Sequence, residues 1–303
     1  MHLLKRFRRV IVQKAVPLAR LYIRYAPLTI GKKFLFKRFV WREHNYVTRT
    51  KFGERMAGRS NDVVQGYIYY FGVWEPNLSE FIISRLKDQP NRTFVEIGAN
   101  VGYFTLLAAR LLTDGSVVAI EAFPSIYKKL EANVFLNNIK NVRLIQCAAT
   151  DVQQNIEMYY GDSINEGATT SMAGKFNNDP VVVRGEPLSN LLTEQEIQST
   201  RLIKIDVEGA EYSVIQGMRE LIQKLPDDAE VVVELSPSAN GQEHLAEIFC
   251  IFETAGFLPY EIYNSYDPQY YIQAPEYIRP SRIYSLPTTQ ADIIFSKVSA
   301  SHL

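Results

Sequence analysis

The sequence predicts an α/β fold, in which a mostly parallel sheet carries helices on both faces behind an N-terminal cap. Three observations lead there. From Thr93 onward, short apolar runs alternate with longer segments of helical periodicity. Several of those runs are apolar on both alternating faces, as strands buried on two sides must be. The chain has 303 residues with 47% hydrophobic content, enough for one large domain with additions.

The elements follow in order. Residues 1–45 form a basic segment, and residues 46–90 form a cap with the aromatic run Tyr67 to Trp74 and a helix from about 77 to 87. The α/β domain is expected over 91–298. Its strands are expected at 93–97, 116–121, 142–147, 202–206 and 230–235, with helices near 102–112, 125–138, 210–224 and 242–256. The helix after Gly209 shows its inner face in Val214, Ile215, Met218, Leu221, Ile222 and Leu225. Two last strands, near 257–263 and 291–297, complete the sheet.

Two insertions, near 148–201 and 259–290, interrupt the alternation. The first holds strand-like runs at Ile156–Tyr160 and Val181–Arg184, separated by a polar loop, Ser163 to Ser171. The second gathers seven tyrosines and several prolines within 259–284, a composition expected of a stiff, ordered loop. Both follow strands expected to end on the side where open α/β sheets bind ligands. They are the candidate walls of an acceptor pocket.

The turn after the first strand of the domain reads Glu96-Ile-Gly98-Ala-Asn100-Val-Gly102 and opens a helix. Glycines allow left-handed turns and close approach of a ligand to the backbone. Glu121 ends the next apolar run, about twenty residues on, where a carboxylate can grip ribose hydroxyls. A dinucleotide fingerprint needs a third glycine beside its pyrophosphate. Here there are two, with an acid ahead of the first. A carboxylate there suits the positively charged amino and sulfonium groups of S-adenosyl-L-methionine better than a pyrophosphate. Small residues in a tight strand–helix turn can also serve packing alone.

Phe94 to Tyr103, Val118 to Pro124 and Lys204-Ile-Asp-Val-Glu-Gly-Ala-Glu211, with Phe71-Gly-Val-Trp-Glu-Pro76 upstream, resemble the FkbM family of S-adenosylmethionine-dependent methyltransferases. The resemblance spans roughly residues 50–298, leaves out the first 45, and extends to the polar loop at 163–171. It implies a class I methyltransferase (Rossmann-like) fold with a seven-stranded sheet and a reversed final hairpin. It also implies methyl transfer, usually to a hydroxyl oxygen, and does not name the acceptor. Expected donor contacts are Glu96, Gly98, Asn100, Gly102, Glu121, Ala149 and Asp206.

Methyl transfer is an in-line displacement on an already activated carbon, so positioning can supply much of the acceleration and no metal is needed. A hydroxyl acceptor must lose a proton, which calls for a nearby base. Asp206 is the first candidate to orient the acceptor or take its proton, followed by Glu208 and Glu234. Acids at strand ends also often only cap helices or bind loop amides. Lys204 is out of step with Ile203 and Ile205 and could pair with an acid. Glu75 and Asn165 are the substrate-binding candidates. The expected acceptor is a sugar, glycolipid or secondary metabolite. A nicotinamide-dependent oxidoreductase and a non-catalytic Rossmann-like binding protein remain as alternatives.

Formal net charge is zero but unevenly spread. Residues 1–42 hold twelve basic residues and no acid, leaving 21 basic and 33 acidic residues in the remainder. Leu3, Leu4, Phe7, Val10 and Ile11 recur at helical spacing between the bases, and no apolar stretch approaches the roughly 20 residues that span a bilayer. Peripheral contact with anionic membrane is one reading of this segment. Docking on the acidic domain is another. Nucleic-acid binding is not expected, for want of zinc-ligand spacing or a stacking motif. The four histidines form no ligand cluster, and Cys147 and Cys250 lie in apolar runs that suggest buried thiols. The expected location is cytoplasmic, with association at the inner membrane surface.

Overall fold

The computed structural model describes residues 15–159, 179–274 and 276–303. They divide into two compact units, one of residues 15–76 with 265–276 and one comprising the rest. The expected cap at 46–90 is thus shared, with 77–90 belonging to the second unit.

The first unit begins with helix α1 (15–25) and α2 (Lys32–Phe39). A short antiparallel hairpin follows, β1 (Asn45–Arg49) with β2 (Arg55–Arg59), and then α3 (Val63–Phe71). The Asp62 side chain starts α3 by accepting from Gln65 N at 2.9 Å, satisfying one of its free amides. Val16, Ile23, Phe36 and Val40 are buried. Phe36 meets Tyr67 and Tyr70 edge-on, at 5.1 and 5.4 Å between centroids. One face of α1 and α2 therefore contributes to this unit's core.

The second unit opens with α4 (Pro76–Leu86), followed by β3 (Thr93–Ile97), α5 (Tyr103–Leu111), β4 (Ser116–Ile120), α6 (Pro124–Leu136) and β5 (Val142–Ile145). The first insertion supplies β6 (Ala148–Ala149), β7 (Gln154–Met158), β8 (Val181–Glu186) and two short helices, α7 (Leu188–Leu191) and α8 (Glu194–Ser199). After β9 (Thr200–Ile205) come α9 (Glu211–Gly217), α10 (Arg219–Ile222), β10 (Glu230–Leu235), α11 (Pro237–Asn240), α12 (Gln242–Thr254) and β11 (Leu258–Ile262). The chain visits the first unit through α13 (Pro268–Gln273) and ends with β12 (Ser281–Arg282) and β13 (Ala291–Ser296).

The main sheet runs β12-β11-β13-β10-β9-β3-β4-β5. β10, β9, β3, β4 and β5 are parallel, and β13 reverses against both β10 and β11. This is the class I methyltransferase order with its reversed hairpin. The expected seven strands become eight because β12 pairs with β11 at Tyr260↔Arg282 and Glu261↔Ser281, covering an otherwise open edge. β3 and β9 are buried at every position, as central strands of a doubly covered sheet should be. On one face, Val95, Ile97, Ile203, Ile205, Val231 and Val233 join a core with Val214, Ile215, Leu221 and Ile222 from the helices.

Three expectations are corrected. The strand at 142–147 stops at Ile145, and Ala148–Ala149 pairs with β8 in a separate three-stranded sheet. The helix at 210–224 is broken at Met218, where the backbone of Gly217 rests on Thr150: a Cβ there would lie 2.0 Å from the Thr150 carbonyl oxygen. Cys147 is buried, but Cys250 is exposed. Its position on α12 falls outside the helical stripe of Leu245, Ile248, Phe249 and Phe252 that faces inward.

The amino-terminal ends of the central strands are bound by arginines. Arg92 donates to Ser199 O at 3.0 Å and Thr200 O at 2.9 Å, and its guanidinium forks onto Asp228 with two contacts of 2.7 Å. Buried Glu230 receives Arg85 at 2.6 Å and Arg201 at 3.0 Å.

Candidate functional site

The glycine turn joins β3 to α5. Gly98 at φ 80°, Asn100 at 50° and Gly102 at 90° all adopt left-handed backbone. Gly98 is there for a second reason: a Cβ would stand 1.8 Å from the Asp206 carbonyl oxygen. The ends of β3 and β9 are thus pressed together, and Asp206 N donates to Ile97 O at 3.0 Å. Asp206 leaves β9 at the mouth formed by these two strand ends.

Glu121 lies just beyond β4, 6% exposed. One carboxylate oxygen accepts from Asn100 N and the other from Phe123 N, each at 2.9 Å. Burial raises its pKa, and those amide hydrogen bonds oppose the rise. The Ala122 amide also contributes, and these bonds take up part of the about four acceptor positions that a carboxylate offers. The left-handed turn and the carboxylate of Glu121 beside it together fit a ribose-bearing donor.

Glu96 and Lys204 are neighbours across the β3–β9 pairing, and both are buried, at 1% and 3% exposure. They point away from the apolar core that Val95, Ile97, Ile203 and Ile205 build. Thr105 Oγ1 donates to Glu96. Burial pushes the Glu96 carboxyl up to about 8, with Lys204 and Thr105 pulling against it. The raised value weakens the electrostatic preference that the sequence suggests for it. Lys204 Nζ reaches Asp206 Oδ2 at 2.7 Å and lies 5.1 Å from the Phe104 ring centroid.

Of the other acids, Glu208 is half-buried and left-handed at φ 53° in the turn after β9. Glu211 holds that turn from below, accepting from Gly209 N at 3.0 Å and Asn240 Nδ2 at 2.9 Å. Glu234, near the end of β10, accepts from Gln290 Nε2 at 2.7 Å and stands opposite Asp292 of β13. Ala149 is buried beside β8 in the same core cluster as Ile97 and Ile120. Glu75 belongs to the first unit, where Tyr266 donates to it at 2.7 Å and its own amide donates to Tyr271 at 3.2 Å. Asn165, with its loop at 163–171, lies outside the described residues.

Asp292 is the residue that sequence reasoning missed. It is 5% exposed, accepts from Asn264 and feels the charge of Lys204. Burial raises its pKa to about 6, against the pull of Lys204 and Asn264. The signal was present in Ala291-Asp-Ile-Ile-Phe295, an acid in an apolar run at the alternation that faces Glu234. Glu96, Lys204, Glu234 and Asp292 therefore share one sheet face, and Asp206 ends it.

The chain matches the Methyltransferase FkbM domain over residues 96–259. It is 27% identical to Methyltransferase 1 of Beauveria bassiana (strain ARSEF 2860) over 187 residues, covering 55% of this chain and 73% of that protein. It is 26% identical to Methyltransferase sdnD of Sordaria araneosa over 165 residues, covering 45% of this chain and 64% of that one. Among solved structures, the methyltransferase FkbM from Methylobacillus flagellatus KT aligns with a TM-score of 0.45 and 12% identity. That alignment takes in 77% of this chain and 52% of the other. With the matched domain running from the glycine turn through the last parallel strand into β11, the chain belongs to the FkbM methyltransferase family.

Proposed function

We propose that the protein transfers a methyl group from S-adenosyl-L-methionine to a hydroxyl oxygen of a small-molecule or glycan acceptor, such as a sugar, glycolipid or secondary metabolite. The donor supplies a methyl carbon activated by positive sulfur. Beside the left-handed turn from Gly98 to Gly102, Glu121 offers it a carboxylate held in place by the amides of Asn100 and Phe123. A positive group close to Glu96 would draw its proton off, turning a neutral carboxyl into a counter-charge.

The observation that carries the oxygen-acceptor reading is Asp206. It is the partly exposed acid at the junction of β3 and β9, and buried Lys204 holds it at 2.7 Å. An acid fixed in direction but open to solvent can orient a hydroxyl and accept its proton. Glu96 and Asp292 sit deeper, at 1% and 5% exposure, and both feel the charge of Lys204.

The test combines binding and labelling. Calorimetry should show S-adenosylmethionine and its demethylated product binding, with no heat from NAD. Incubation of a native metabolite extract with methyl-labelled donor should then label a hydroxyl-bearing acceptor. NAD binding without response to the methyl donor would return the reading to an oxidoreductase. Donor binding without any labelled product would favour a non-catalytic binding protein.

A further inference from the structure

The helices α1 and α2 of the first unit divide their side chains in an unusual way. On α1, Val16, Ala19 and Ile23 are buried along one face. Leu18, Leu21 and Tyr25 recur at the same helical spacing on the opposite face, 66%, 47% and 63% exposed. Both faces are apolar, yet only one is covered.

The exposed stripe continues beyond the helix. Leu28 and Ile30 lie open in the turn, and Phe34 stands on α2 opposite buried Lys32 and Phe36. This turn is fastened: Tyr22 Oη donates to Ile30 O at 2.8 Å and Lys32 Nζ to Ala26 O at 2.6 Å. The apolar tip is therefore a built feature rather than a loose loop. Trp41, 55% exposed, follows α2.

Charge selects the partner. Residues 15–42 hold seven basic side chains and no acid. Lys37, Arg38 and Arg42 are exposed, the first two beside Phe34 on the outer face of α2. A second copy meeting this surface symmetrically would oppose like charges. Apolar and aromatic side chains ringed by bases suit the headgroup–acyl boundary of an anionic bilayer. Among the described residues no helix is long and apolar enough to cross a membrane, so contact would be peripheral.

We propose that α1, its turn and α2 form a docking surface for anionic lipid membranes. Leu28 and Ile30 enter the interface at the tip, while Lys37, Arg38 and Arg42 meet lipid phosphates. Both terms are needed: the bases draw the protein down and the apolar tip holds it.

The experiment is flotation of the full chain with vesicles of phosphatidylcholine alone or mixed with phosphatidylglycerol, at low and high salt. The wild type should partition at least tenfold better onto the mixed vesicles, and salt should release most of it. Leu28→Ser with Ile30→Ser, and separately Lys37→Glu with Arg38→Glu and Arg42→Glu, should each lower that partition about tenfold. These side chains are exposed, so unfolding temperature and donor binding should hold. A wild type indifferent to anionic lipid would overturn the proposal. So would variants that float as well as wild type, since another surface would then be responsible. A dimer in light scattering, lost in the Leu28→Ser/Ile30→Ser variant without any vesicle binding, would assign the surface to a second copy instead.

Discussion

Lys204 and Asp206 form an ion pair at 2.7 Å in which the lysine is buried and the aspartate reaches the mouth of the site. The two lie on the same strand end with Ile205 between them, so both point to the face opposite the apolar core. Lys204 also neighbours Glu96 across the sheet and acts on Asp292. One buried cation thus lies among three acids, of which Asp206 is the most exposed.

Asp206→Asn should preserve the fold and donor binding while lowering turnover by about 10²–10⁴-fold, the usual worth of a positioned base. The measurement is single-turnover methyl transfer alongside calorimetric donor binding. Wild-type turnover in the variant would make Asp206 structural and move the search for a base to Glu208, Glu234 or the acceptor itself.

Glu121→Ala should weaken donor binding by about 1.5–3 kcal/mol, the cost of losing hydrogen bonds to a charged group. That is roughly a 10- to 150-fold rise in Kd. It also frees the amides of Asn100 and Phe123, so a thermal melt should accompany the titration. Unchanged affinity in a folded variant would remove Glu121 from the donor site.

Gly217→Ala tests the contact between α9 and Thr150. In an open helix this change would stabilise by about 1 kcal/mol. Here the new Cβ would meet the Thr150 carbonyl at 2.0 Å, so destabilisation of about 1–3 kcal/mol is expected from overpacking. Denaturant midpoints give the sign directly, and a gain in stability would contradict the contact.

Glu96 makes a pH-dependent contribution of predictable sign. Its carboxyl stands near 8 in the folded chain, against an ordinary value of 4.5. Between those values the folded state keeps a proton that the unfolded state has released, so rising pH favours unfolding. Glu96→Gln has no proton to lose and keeps an oxygen acceptor for Thr105. Relative to wild type, it should therefore gain stability steadily from pH 5 to pH 8 in urea titrations. A difference that stays flat with pH would mean that Glu96 is already ionised against Lys204.

The central sheet was legible because its strands are buried on both faces and read as unbroken apolar runs, as in Leu202 to Ile205. The acids that punctuate those runs were legible for the same reason, since a charge at a strand end stands out. Asp292 stands out in its apolar run too, but its surroundings, Asn264 and Lys204, come together only in three dimensions. The split at Met218 was equally out of reach. The helical stripe continues through it, and the close approach of Gly217 to Thr150, far away in sequence, is visible only in the fold. The part that residues 15–42 play in the first unit was obscured by charge: the bases dominate the composition, while Val16, Ile23 and Phe36 are buried.

The fork of Arg92 onto Asp228, with the Arg85–Glu230–Arg201 knot beside it, fixes the sheet at the ends away from the glycine turn. Cohesion and chemistry are therefore invested at opposite poles of the same strands. Such a division leaves the loops at the reactive pole free to diverge, because replacing them does not undo the fastening at the other.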